Sequence, residues 1–188
     1  MVADKKRLDP AIKEILKIGG ILCAICASVA FLLSFVNAVT LKPIAENEES
    51  LRKNAVVELF GSDTVVYSSI PCDRGDVQGV FVVSDGGAEC GYFVSVTPFG
   101  FGGRMELVVA LDSDGAVLGV KIISHSETPG LGDRIESESF LSQFVRKGSE
   151  GAKVDVIAGS TISSRAVAEG VSTAVSALSE ILTGGVEN

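Results

Sequence analysis

The chain has 188 residues, enough for one domain of about 100–150 residues and an additional segment. Its formal net charge is −8, whereas a domain that binds nucleic acid presents a basic face, so we expect no nucleic-acid partner. His125 is the only histidine, which excludes a metal site built from several histidines, and we assign no metal.

The first predicted element is an apolar segment, Ile18–Val39, which has 22 residues and no charged side chain. As a helix with a rise of about 1.5 Å per residue it would be about 33 Å long, close to the roughly 30 Å of a hydrocarbon core. Residues 1–17 include five Lys or Arg side chains, and such positive flanks stay in the cytoplasm. We therefore predict a cytoplasmic N-terminus over 1–17, a transmembrane helix over 18–40 and an extracytoplasmic domain over 41–188.

A cleaved signal peptide is the competing interpretation, since Val36-Asn37-Ala38 has the small residues of a cleavage site. The apolar run is longer than the usual signal-peptide run of about 7–15 residues, which favours a retained anchor. The charge divides at the same place, because residues 1–40 have a net charge of +2 and residues 41–188 one of −10.

The four cysteines form two unrelated pairs. Cys23 and Cys26 lie within the apolar run, where we interpret them as small apolar side chains. Cys72 and Cys90 lie in the predicted outer domain, where a disulfide is chemically permitted. Whether they pair depends on the distance between their Cα atoms.

The outer domain is predicted to begin with a helix from Pro43 to about Phe60 that continues the membrane helix. Stretches rich in Val and Ile then indicate five strands, Thr64–Ser69, Val77–Ser84, Glu89–Val96, Met105–Asp112 and Val117–Ser124. Two more helices are expected at Glu136–Phe144 and Ser163–Leu182. Consecutive strands followed by helices predict an α+β domain with an antiparallel sheet and flanking helices.

The segment Asp155–Arg165 places Thr161 between a Gly159-Ser160 turn and the predicted start of the last helix. Apolar residues then recur with the spacing of one helical face, at Val167, Val171, Ala174, Val175, Leu178 and Leu182. A helix N-terminus offers unpaired N–H groups and the positive end of the macrodipole, so a phosphate on Thr161 would lie where anions are held. An ordinary helix capped by Ser or Thr is the alternative.

A second motif, His125–Asp133, follows the last predicted strand and contains the sequence Glu-Thr-Pro-Gly-Leu-Gly. With the Thr161 motif and with Gly100–Gly103 upstream, it resembles the FMN-binding domain of the G subunit of bacterial Rnf electron-transport complexes. A similar domain occurs in the C subunit of the sodium-pumping NADH:quinone oxidoreductase. The resemblance is strongest over Phe99–Phe144 and Asp155–Val171.

The resemblance implies one covalent FMN, because a threonine in an Asp-x-x-[Ser/Thr]-Gly-Ala-Thr motif carries FMN through a phosphoester bond in that family. Thr161 is the matching residue, while Ala158 and Ser160 stand where the family has Ser or Thr and Ala. The attachment implies a flavin transferase as a maturation partner. The candidate cofactor-binding residues are Thr161, Gly159, Ser160, Ser163, Glu127, Thr128, Gly130 and Leu131.

The implied function is that of a membrane-anchored electron relay in the bacterial cytoplasmic membrane. The protein would belong to a multi-subunit ion-translocating oxidoreductase that couples ferredoxin–NAD electron transfer to Na⁺ or H⁺ translocation, with other membrane and peripheral subunits as partners. No residue is assigned a catalytic role, and the chain lacks a Gly-x-Gly-x-x-Gly motif for NAD. The equivalent subunit of the sodium-pumping quinone reductase and a flavin-free anchored scaffold are the alternatives.

Overall fold

The computed structural model describes residues 10–72, 74–146 and 154–184. Residues 1–9 of the predicted cytoplasmic segment therefore lie outside the described residues. The chain divides into two compact units, one that ends at Asn47 and one that begins at Glu48.

The described residues of the N-terminal unit belong to helix α1, which begins at Pro10 and ends, within the second unit, at Phe60. The apolar segment and the helix predicted from Pro43 onward are therefore one continuous element, as expected. Apolar side chains from Ile15 to Ile44 are exposed, for example Phe31 at 73% and Leu33 at 67%. Among the described residues, this is the one helix that is long and apolar enough to cross a membrane.

The second unit contains a five-stranded antiparallel sheet in which each strand pairs with the next one along the chain. The strands are β1 Val66–Ile70, β2 Val77–Asp85, β3 Ala88–Val96, β4 Glu106–Leu111 and β5 Val117–Ser124. Gly86 and Gly87, with φ of 58° and 91°, form the two-residue turn between β2 and β3, a conformation that residues with a Cβ adopt only at a cost. The predicted α+β class and strand order are confirmed.

The segment after β5 departs from the single helix predicted at Glu136–Phe144. A 3-10 turn over Gly132–Glu136 is followed by a short helix α2, Glu138–Leu141, and a second 3-10 turn over Ser142–Phe144. Ser137 breaks the helical run because its backbone is extended, with ψ of 134°. The last helix, α3, covers Thr161–Gly184 and begins two residues earlier than predicted.

The sheet packs between α3 and the C-terminal part of α1, because successive strand residues face opposite sides. The α3 side is a cluster of buried residues that includes Val94, Val96, Leu107, Val109, Val167, Val171, Ala174 and Leu178. The α1 side comprises Ala55, Val56, Val83, Phe93, Val108 and Ile123.

Helix α3 lies unusually close to the sheet at Gly170. A Cβ there would be 2.8 Å from Leu107 Cδ1 and 2.9 Å from Pro98 Cγ, so a larger residue would push the helix away. The predicted apolar face of α3 is buried as far as Leu178, whereas Leu182 is 39% exposed. The sheet contact thus fixes the N-terminal half of α3, where Thr161 lies.

A buried ion pair connects α1 to the sheet on the opposite face. Arg52 Nε donates to Glu106 Oε1 at 3.0 Å, and the Ser95 hydroxyl donates to the same oxygen at 3.2 Å. Glu106 is 6% exposed. Burial removes the carboxylate of Glu106 from water, and the bonds from Arg52 and Ser95 compensate for the lost hydration.

Candidate functional site

A cavity of about 260 Å³ lies where three segments of the second unit meet. The segments are the β3–β4 connection, the loop after β5 and the first turn of α3. The lining residues are Phe101, Glu127, Thr128, Leu131, Gly132, Gly159, Ser160, Thr161, Ile162 and Ser163. The structure thus brings together seven of the eight candidate cofactor-binding residues, which the sequence separates into two motifs.

Thr161 lines the cavity as the first residue of α3. The turn before it is fixed by two hydrogen bonds: the Ser160 amide donates to the Ile157 carbonyl at 2.9 Å, and the Ile157 amide donates to the Ser164 hydroxyl at 3.2 Å. Gly159 makes this turn with φ of 84°, which costs little only for glycine. Since the first N–H groups of a helix have no intrahelical partner, Thr161 stands at the end of α3 where anions are naturally held.

The two motifs contact each other through Ser160 and Leu131. The buried Ser160 hydroxyl donates a hydrogen bond to the Leu131 carbonyl. A Cβ on Gly159 would be 3.1 Å from Leu131 Cδ1, so the leucine side chain packs directly over that glycine. Leu131 is nevertheless 47% exposed and lines the cavity.

The loop that carries Leu131 is held by backbone hydrogen bonds. The Thr128 carbonyl accepts from the amides of Leu131 at 3.1 Å and Gly132 at 2.9 Å. Gly130, with φ of 76°, donates its amide to Asp133 Oδ2 at 2.8 Å and is not among the lining residues. Gly130 thus shapes the loop, and its assignment as a cofactor-binding residue stays a prediction.

Glu127 is a buried carboxylate in the wall of the cavity, 6% exposed. Its Oε2 accepts a hydrogen bond from the Ser163 hydroxyl at 2.8 Å, while its Oε1 finds no hydrogen-bond partner among the described residues. Two glycines leave room for this carboxylate, since a Cβ on Gly100 would collide with Oε1 and one on Gly132 would be 2.6 Å from Oε2. One side chain thus explains one glycine in each loop, Gly100 and Gly132.

His125 supports the same loop from outside the cavity. Its Nδ1 accepts a hydrogen bond from the Glu127 amide at 3.1 Å, and its Nε2 lies 3.1 Å from Glu136 Oε1. Both ring nitrogens are thus engaged in contacts that hold the loop, and His125 is not among the residues that line the cavity.

A family model described as an FMN-binding domain matches residues 100–176, which include every residue that lines the cavity. The G subunit of the ion-translocating oxidoreductase complex of Haemophilus influenzae strain Rd is 32% identical over 167 residues, which cover 78% of this chain and 79% of that protein. The chain belongs to the G-subunit family of ion-translocating oxidoreductase complexes. The family predicted from the motifs is confirmed.

One further relative agrees with this assignment, and one solved structure shows the same fold. The G subunit of the proton-translocating ferredoxin:NAD(+) oxidoreductase complex of Clostridium ljungdahlii is 29% identical over 153 residues. The aligned region covers 76% of this chain and 80% of that protein. The crystal structure of Shewanella oneidensis NqrC superimposes with a TM-score of 0.54 at 18% identity, over 68% of this chain and 91% of that chain. The NqrC likeness shows the same fold.

The residues of the G-subunit cavity fit FMN. The N-terminus of α3 suits the phosphate. Gly159 adds no side chain next to Thr161, and Leu131 is the one neighbour that a Cβ on Gly159 would meet within 4 Å. The unpartnered Oε1 of Glu127 is a buried acceptor, and buried polar atoms of this kind are normally satisfied. Apolar side chains at the rim match the flat, mostly apolar isoalloxazine ring.

Ile162 is the lining residue of this G subunit that the sequence did not indicate. It is 56% exposed and directly follows Thr161 in the first turn of α3. The sequence does contain a hint of this position, because Ile162 is a large apolar residue that lies outside the buried helical stripe that starts at Val167. Phe101 and Gly132 belong to the two loop motifs that carry the family resemblance.

Proposed function

We propose that the chain is a membrane-anchored flavoprotein subunit that carries one FMN, bonded through its phosphate to Thr161. It relays electrons in an Rnf-type complex that couples ferredoxin–NAD electron transfer to Na⁺ or H⁺ translocation. The observation that carries the proposal is the position of Thr161 as the first residue of α3 in the wall of the cavity. Membership of the G-subunit family and the FMN-binding match support it.

The proposed linkage replaces the O–H bond of the Thr161 hydroxyl by an Oγ1–phosphorus bond. A dedicated flavin transferase supplies FMN from an activated donor, a flavin nucleotide with a phosphoanhydride bond. That bond breaks, its leaving oxygen takes the electron pair, and the hydroxyl proton goes to solvent. The exposed first turn of α3 allows the transferase to reach its acceptor, since Ile162 beside Thr161 is 56% exposed.

When bound, FMN supplies reversible one- and two-electron chemistry. The residues of the chain bind and orient it: the α3 N-terminus holds the phosphate, and Ser160 connects that end to the Leu131 loop. Leu131 and Ile162 present apolar surface to the ring and exclude water from it. Since the chain has no dinucleotide-binding motif, NADH reacts at another subunit, and the partners of this chain are the other membrane and peripheral subunits.

We propose further that residues 1–17 are cytoplasmic, residues 18–40 cross the bacterial cytoplasmic membrane and residues 41–188 lie outside. The exposed apolar surface of α1 and the basic flank support this orientation. Reporter fusions after Lys42 should be active only with an enzyme that works outside the cytoplasm. A mature N-terminus at Val39 would show that the segment is a cleaved signal.

The equivalent subunit of a sodium-pumping NADH:quinone oxidoreductase is the second candidate, because NqrC has the same fold. The sequence identities favour the Rnf-type assignment, since the NqrC comparison gives 18% and the comparison with the Haemophilus protein 32%. Affinity purification of the complex, followed by identification of its other subunits, separates the two candidates. We expect the co-purified subunits to be those of a complex that oxidises ferredoxin.

Intact-mass spectrometry tests covalent FMN and separates both candidates from a flavin-free scaffold. The chain co-expressed with a flavin transferase should gain the mass of one FMN minus one water, and Thr161→Ala should abolish the gain. Thr128→Ala is the matched control, because Thr128 is the other threonine in the cavity wall. A denaturation-resistant flavin in the Thr161→Ala protein would contradict the assignment and direct attention to Ser160 or Ser163.

A further inference from the structure

The cavity is too small to enclose a whole FMN. Its volume of about 260 Å³ lies below the range of roughly 300–1,000 Å³ that is usual for pockets of drug-sized ligands. With the phosphate held at Thr161, part of the flavin must extend beyond the cavity wall. The rim that it would meet is apolar, with Phe101 exposed at 70%, Ile162 at 56% and Leu131 at 47%.

Phe101 is held at this rim by a well-fixed loop. The Gly100 amide donates to the Gly103 carbonyl at 2.8 Å, which closes a tight turn around Phe101. The turn lies flat against the loop after β5, because a Cβ on Gly102 would collide with the Ser126 carbonyl oxygen. The backbone on both sides of Phe101 is therefore fixed, while its side chain borders the cavity and keeps most of its surface free.

Phe99 provides a comparison within the same loop. It is 67% exposed, nearly as much as Phe101, and also stands beside a glycine. However, Phe99 borders a different cavity, together with Asp76 and Glu169, and the Arg104 guanidinium lies over its ring, 5.4 Å from the centroid. Two similar phenylalanines thus differ in whether they line the flavin cavity.

We infer that Phe101 packs against the isoalloxazine ring and covers part of its outer surface; this inference rests on the proposed function. Aromatic rings in contact adopt offset-stacked or edge-to-face arrangements, and a flat ring at an apolar rim can form either one with a phenylalanine. The contact removes apolar surface of both rings from water. Phe101 is therefore a positioning residue for the ring end of the cofactor, as Thr161 is the attachment point for its phosphate end.

The test compares four variants of the full-length, flavinylated protein in detergent: Phe101→Ala, Phe101→Trp, Phe99→Ala and Phe99→Trp. Intact mass first establishes that each carries FMN. Quenching of flavin fluorescence by iodide, at constant ionic strength, then measures how much of the ring solvent can reach. An indole in contact with the ring quenches its fluorescence by donating an electron to the excited flavin, after which the charges recombine.

We expect Phe101→Ala to raise the iodide quenching constant by about twofold, because it uncovers ring surface that the phenylalanine had shielded. Phe101→Trp should lower the flavin fluorescence several-fold, whereas both Phe99 variants should match the wild-type protein. Equal behaviour of the Phe101 and Phe99 variants on a flavinylated chain would overturn the inference alone. A wild-type chain without FMN would refute the proposed function and the inference with it.

Discussion

Replacement of Leu131 by alanine measures how strongly the flavin interacts with the loop after β5. Full burial of a leucine side chain stabilises a fold by about 1.5–3 kcal/mol, and Leu131 is 47% exposed without the flavin. In a flavin-free background, provided by Thr161→Ala, Leu131→Ala should therefore lower the free energy of unfolding by about 1 kcal/mol. In the flavinylated protein the ring covers the remaining surface, and the loss should rise to about 2 kcal/mol.

The assay is a double-mutant cycle between Thr161→Ala and Leu131→Ala, followed by denaturant or thermal unfolding. For a domain of this size, each kcal/mol corresponds to a change in Tm of about 2–4 °C. Leu118→Ala is the matched control, because Leu118 lies on β5, is 39% exposed and is not among the cavity-lining residues. Its cost should be the same in both backgrounds.

Flavinylation of the Leu131→Ala protein should still occur, since the Thr161 acceptor and its turn are intact. An equal loss of stability from Leu131→Ala with and without the flavin would refute the proposed ring contact. Failure of a well-folded Leu131→Ala protein to become flavinylated would also contradict the division between an attachment segment and a ring-positioning loop.

Two other substitutions test the scaffold around the site. Arg52→Ala leaves the buried Glu106 carboxylate without its cation and should lower the free energy of unfolding by about 3–5 kcal/mol. Lys53→Ala breaks an exposed pair with Glu49 and should cost far less, because solvent screens that pair. Equal costs of the two substitutions in denaturant unfolding would show that the buried pair is not a determinant of stability. Gly159→Ala should cost about 1–2 kcal/mol because φ is 84° there, and should slow flavinylation in a mass-monitored time course, while unchanged stability and rate would argue against a fixed turn before Thr161.

Much of the fold could be predicted from the sequence, because its local signals agree with its tertiary structure. The strand β5 was predicted with the bounds that the structure shows, and the Gly86-Gly87 turn sets the β2–β3 register. The helix predicted over Glu136–Phe144 was wrong in detail. Phe140 and Phe144 have helical spacing and are both buried, as the pattern predicts. The extended backbone at Ser137, however, separates Glu136 from the helix that contains Phe140.

The candidate site was only partly predictable, since its contacts join residues that are distant in the sequence. The hydrogen bond between Glu127 and Ser163 spans 36 positions, and no local pattern indicates it. The same holds for Gly100, whose role becomes clear only when the Glu127 carboxylate is found where its Cβ would lie. The motifs identified the segments, whereas the division of roles between Gly130, which shapes the loop, and Leu131, which lines the cavity, required the structure.

The measurement that tests the central claim most directly is fragment-ion mass spectrometry of one tryptic peptide. Cleavage after Lys153 and Arg165 releases Val154–Arg165, which contains Thr161 and three serines. Our account predicts that this peptide from the flavinylated protein carries one FMN and that the fragment ions place it on Thr161. A flavin on a serine of this peptide, or a peptide without flavin in a protein that retains flavin after denaturation, would contradict the account.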